Sequence, residues 1–100
     1  MEITSKQRAY LRRLAANIDT IFQIGKGGVN ENMLRQISDA LEARELIKLR
    51  VLDNSAYSAQ QAMEEISAAL HAVPVQSIGT RFVLFRPSEK KPRIDWKDAR

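Results

Sequence analysis

The residues best suited to chemistry are Gly25, Lys26, Gly27 and Gly28. They follow a short β-rich run, Thr20-Ile21-Phe22-Gln23-Ile24, and precede Asn30, a good helix N-cap. Glycine permits positive φ and lets another backbone come close. A glycine-rich turn before a helix offers unpaired N–H groups and the positive end of the helix dipole. Lys26 puts a mobile charge at the tip. Together these features suit a phosphate. The spacing is not that of a Walker loop, because no Gly-Lys-Ser/Thr follows. Nor is it the dinucleotide fingerprint, because Asn30 stands where the third glycine would be. Taken by itself, the stretch is also what an ordinary flexible turn into a helix looks like.

Charge supports the phosphate reading. The chain has 100 residues and a formal net charge of +4. Such a balance favours polyanions, because lysines and arginines that neutralise phosphates release condensed counterions. The distribution is lopsided. No Lys or Arg occurs between Val51 and Thr80, a stretch that carries Asp53, Glu64 and Glu65. A fold of this chain is expected to have one basic side and one neutral-to-acidic side. Lys6, Arg8, Arg12 and Arg13 flank the apolar stripe of a first helix and could extend a phosphate-binding surface. Lys48 and Arg50 share one strand face, and could meet RNA if helices leave that face uncovered.

Other chemistries find little support. The chain has no cysteine and a single histidine, His71, which excludes disulfides, thiolate nucleophiles and sites built from several imidazoles. The carboxylates show no pairing suggestive of acid–base work. We therefore expect no catalytic residue, no metal ligand and no cofactor. No apolar run approaches the ~20 residues needed to span a bilayer. The N-terminus lacks the order of a secretory signal. The expectation is a cytoplasmic protein, monomeric and not bound to a membrane.

The elements that must position these residues follow from periodicity. Thr4 with Gln7 has capping-box spacing, and Leu11, Leu14, Ala15 and Ile18 make a stripe, predicting a helix to about Asn17. Thr20 to Ile24 reads as a strand. Met33, Leu34, Ile37 and Leu41 mark a second helix. Leu46 to Leu52 is a strand with Ile47, Leu49 and Val51 on one face. Ser58 with Gln61 opens a third helix, buried through Ala59, Ala62, Met63, Ile66 and Leu70. Val73 to Ile78 is a strand whose Pro74 suits an edge. A tight turn at Gly79-Thr80 leads into the strand Arg81 to Arg86. The pattern predicts an α/β fold of the two-layer α+β kind. Its element order is α-β-α-β-α-β-β, with helices packed on a four-stranded mixed sheet whose last strand is antiparallel. Residues 1–87 form the domain. Residues 88–100 read as a charged, flexible tail, with Trp96 exposed.

The chain resembles the CRM domains, the RNA-binding modules of chloroplast splicing factors, and their stand-alone bacterial YhbY-like relatives. The matching stretches are Thr4-Ser5-Lys6-Gln7-Arg8 with Leu11 and Leu14, Ile24-Gly25-Lys26-Gly27-Gly28-Val29, Glu45-Leu46-Ile47-Lys48, Gln76-Ser77-Ile78-Gly79 and Leu84-Phe85-Arg86-Pro87. The resemblance implies a fold like the C-terminal domain of translation initiation factor three, with strand order 1-2-4-3. It implies that Gly25 to Gly28 is the family's RNA-contacting GxxG loop. It further implies association with ribosomal RNA in precursors of the large ribosomal subunit. Ser58 to Gln61 carries no basic residue, unlike many relatives, so no contact is carried over to it.

The expected function is binding to structured ribosomal RNA, assisting large-subunit maturation. The RNA-binding residues would be Gly25, Lys26, Gly27, Gly28, Lys6, Arg8, Arg12, Arg13 and Lys48. A rival is a protein-interaction module that recruits an assembly factor through the third helix. A small nucleotide-binding enzyme is disfavoured by size and by missing catalytic groups.

Overall fold

The computed structural model describes residues 2–99. Helix α1 spans Ser5–Ala15. The Thr4 hydroxyl accepts from the Gln7 N–H, and the Gln7 side chain accepts from the Thr4 N–H, which closes the expected capping box. Strand β1 is Thr20–Ile24 and helix α2 is Glu31–Arg44, capped by the Asn30 side chain on the Met33 N–H. Strand β2 is Leu46–Val51. Helix α3 is Ala59–Leu70, opened by the Ser58–Gln61 capping box. Strands β3 (Val73–Ile78) and β4 (Arg81–Phe85) form a hairpin across Gly79, whose φ of +60° suits glycine.

The sheet order is β1-β2-β4-β3. β1 and β2 are parallel, and β4 is antiparallel to both of its neighbours. This matches the expected order and directions. Along β4, Phe82 and Leu84 belong to one apolar cluster and Val83 and Phe85 to another. Because strand side chains alternate, the clusters lie on opposite faces. Ile37 and Leu41 of α2 join the first, with Ala62 and Ile66 of α3. Leu11 and Ala15 of α1 join the second. The helices thus cover both faces and the packing has three layers. The two-layer expectation missed this because a stripe shows that a helix is buried without showing against which face.

Arg86 ties the layer of α2 and α3 together. Its guanidinium donates to the Leu70 carbonyl at 3.1 Å and to the Ser38 carbonyl at 2.9 Å.

The segment after β4 corrects the picture of a free tail. Glu45 has a φ of +66° and its side chain is buried. Its carboxylate accepts from the N–H groups of Ser88 (2.7 Å), Arg93 (2.5 Å) and Ile94 (2.8 Å). The chain then turns into a short 3-10 helix, Trp96–Ala99. Trp96 meets Phe85 edge-on at 5.4 Å between ring centroids and lies 6.3 Å from Tyr10. Residues 88–97 thus form a strap across the α1 face. Its sequence lacks periodicity because it docks through backbone N–H groups, the Ser88 hydroxyl and two isolated apolar side chains, Ile94 and Trp96.

Candidate nucleic-acid interface

The glycine turn sits at one end of the sheet. The Gly28 N–H donates to the Gly25 carbonyl at 3.0 Å, so Gly25–Gly28 is a closed reverse turn. Lys26 and Gly27 occupy its central positions, both exposed. A side chain on residue 27 would meet nothing within 4 Å. The Gly28 amide is engaged inside the turn, so the expectation that the loop offers its amides generally has to be narrowed to Lys26 and Gly27.

Gly28 has a φ of +66°, and a Cβ there would lie 2.9 Å from Tyr57 Cε2. The Glu65 carboxylate faces the Tyr57 hydroxyl, and its acceptor oxygen and negative charge hold the phenol pKa above its ordinary value. Tyr57 therefore braces the turn against α3. This role was not foreseen, because it depends on a contact between two loops. Gly28 is close to the start of α2 and Tyr57 to the start of α3, so both helix N-termini open beside the turn. Their dipoles place partial positive charge there, offset in α2 by Glu31.

The other sequence-predicted residues divide into groups. Arg8 is half-buried, and its Nη1 donates to the carbonyls of Pro74 (2.5 Å) and Val75 (2.8 Å). These carbonyls sit at the bulge where β3 skips one residue against β4. Arg8 thus closes the exposed edge of β3, a role in the fold that the RNA-contact expectation did not include. Arg13 lies over the Tyr10 ring, 5.7 Å from its centroid. Lys6 occupies the same helix edge by helical spacing, and this edge adjoins the Trp96 strap. Both stay exposed, but neither is brought to the side that holds Lys48.

Arg12 is on the other edge. It is exposed and one turn before Ala16, which borders a depression lined by Lys48, Gln76, Ile78, Arg81 and Val83. This depression is the part of the sheet that α1 leaves uncovered. Lys48 lines it, and Arg50 lies on the same sheet face beside a smaller depression lined by Asp53 and Thr80, as the strand alternation predicted. Arg81 joins them from β4, and sequence reasoning did not single it out. Alternation alone could not place Arg81 opposite Arg50, because that needs the hairpin register. The structure therefore gathers Lys26, Arg12, Lys48, Arg50 and Arg81 toward the loop end and the open sheet face. It leaves Arg8, Lys6 and Arg13 elsewhere.

Among the described residues, no group of three or more His, Cys, Asp or Glu is placed to hold a metal ion, and no helix is long and apolar enough to cross a membrane.

Comparison with known proteins identifies the family. Residues 3–86 match the CRS1 / YhbY (CRM) domain. The chain is 43% identical over 93 residues to the Bacillus subtilis protein named "Probable RNA-binding protein YqeI", covering 93% of this chain and 97% of that one. It is 34% identical over 88 residues to a Haemophilus influenzae protein named "RNA-binding protein", covering 88% and 89%. A hypothetical protein of Staphylococcus aureus, known from its solution structure, superposes with a TM-score of 0.77 at 50% identity, over 94% of this chain and 98% of that one. With the match spanning the folded chain from the first helix to the last strand, the protein belongs to the CRS1/YhbY (CRM) domain family.

Proposed function

We propose that this chain is a non-catalytic RNA-binding protein that docks on the sugar–phosphate backbone of structured ribosomal RNA and assists maturation of the large ribosomal subunit. The observation that carries this reading is the Lys26-Gly27 turn. It projects into open space beside two helix N-termini, with nothing of the chain itself near Gly27. Its relatives from Bacillus subtilis and Haemophilus influenzae carry RNA-binding names.

The mechanism is electrostatic positioning. Lys26 and the turn's exposed backbone approach one phosphate, and Arg12 and Lys48 extend the footprint over the sheet. Backbone contacts of this kind fix orientation and carry little sequence information, so selectivity rests on RNA shape. The protein acts as a cytoplasmic monomer without cofactor or membrane.

The test is sedimentation of cell extracts. The protein should travel with free large subunits and their precursors. Distribution across finished ribosomes, or none on any ribosomal particle, would refute the large-subunit role.

A further inference from the structure

The open sheet face carries an arrangement that the fold alone does not favour. Arg50 of β2 and Arg81 of β4 are direct cross-strand partners. Gln23 flanks Arg50 from β1, and Ile78 flanks Arg81 from β3. The four residues make one row across the sheet, spanning roughly 15 Å at the usual strand spacing. The next row holds Thr20, Lys48, Val83 and Gln76. Neither row contains a carboxylate. Like charges directly opposite each other destabilise a sheet, yet two arginines are cross-strand partners here, with Lys48 on the same face in the next row.

A second observation concerns the Arg50 side chain itself. Its Nε is buried with no hydrogen-bond partner, the single such side-chain atom among the described residues. Asp53 and Thr80 line the depression beside it, but neither satisfies that nitrogen. Among the described residues no hydrogen bond engages the Arg50 guanidinium, so its terminal nitrogens remain available to an anion. One anion would thus relieve the repulsion and engage a guanidinium that the fold leaves unpaired.

Resting on the RNA-binding reading above, we infer that Arg50 and Arg81 clamp an RNA phosphate on the open sheet face, continuing the backbone path that begins at Lys26. Gly25 lies against Leu52 and Asn54, just past the end of β2, so the turn and the arginine row meet at one end of the sheet. Lys48 and Arg12 carry the path on toward α1. Guanidinium forks match phosphate oxygens two at a time, which suits a phosphodiester chain with repeated charge. Gln23 and Gln76 supply neutral donors at the margins.

The test uses Arg50→Gln, Arg81→Gln, the double variant and Arg81→Glu, each titrated with a large-subunit ribosomal RNA transcript across a salt series. Each single glutamine variant should lose on the order of tenfold in affinity. The double variant should have a salt slope shallower by about two, one for each arginine charge removed from the phosphates. Thermal unfolding should occur at the same or a higher temperature, because the repulsion is gone. Arg81→Glu should raise the unfolding temperature further, through pairing with Arg50, while binding RNA least.

If the double variant keeps wild-type affinity and slope while Lys26→Glu weakens binding, the clamp is wrong and the RNA reading survives. If the wild-type protein does not bind the transcript, both fall together. Displacement of the transcript by poly-glutamate as readily as by an unrelated RNA would mark the face as a dock for acidic protein and overturn the clamp.

Discussion

The Tyr57 ring stands 2.9 Å from the point where a side chain on Gly28 would begin. The neighbouring Gly27 meets nothing. Two adjacent glycines in one turn therefore serve different ends: Gly28 lets the turn close on its brace, and Gly27 leaves the outer surface bare.

Gly28→Ala should destabilise the domain by about 2–4 kcal/mol, from the left-handed backbone together with the clash on Tyr57. Gly27→Ala should leave stability within roughly 0.5 kcal/mol, because it lies in open space. Its effect should appear in RNA affinity, where a methyl group intrudes on the approaching backbone. Chemical denaturation and RNA titration of both variants check the split.

Arg8 and Arg12 make a second pair that looks alike in sequence and differs in the fold. Arg8→Ala frees two carbonyls at the β3 bulge and should cost about 1–3 kcal/mol of stability. Arg12→Ala removes an exposed charge and should leave stability nearly unchanged, while weakening RNA binding and making its salt slope shallower by about one. Denaturation curves and a salt series on the two variants would settle which arginine serves which role.

The strap gives a pH-dependent prediction. The Ser88 hydroxyl and the Glu89 N–H donate to the Glu42 carboxylate and hold its pKa below the usual carboxylate value. A lowered folded pKa means the contribution is present above the ordinary carboxylate pKa and is lost as pH falls through the folded one. Strap docking should therefore loosen in acid, below the usual carboxylate range, and tighten above it. Trp96 fluorescence and amide exchange at Ser88, Arg93 and Ile94 would report it. Glu42→Gln should remove much of that acid response, and Glu45→Ala should expose the strap at every pH.

Much of the fold was legible because local rules and tertiary packing agree. Thr4 with Gln7 and Ser58 with Gln61 satisfy orphan N–H groups within their own first turns, so their helices start where the sequence says. Pro74 sits on an edge strand, where its missing N–H does no harm. The alternation through Ile47, Lys48, Leu49 and Arg50 sorted one strand's faces correctly. What escaped the sequence depends on partners distant along the chain. Arg8 reads as a surface charge until Pro74 and Val75 arrive beside it. Glu45 reads as one more helix-end carboxylate until Ser88, Arg93 and Ile94 turn their N–H groups toward it. Arg81 becomes part of a site only once the register sets it against Arg50.

The most direct test of backbone docking at the glycine turn is the salt dependence of binding to a large-subunit ribosomal RNA transcript, compared between the wild-type protein and Lys26→Glu. Wild-type affinity should fall steeply as salt rises, with the variant weaker at low salt and shallower in slope by about one or more. Equal affinities with parallel slopes would contradict backbone docking at the turn.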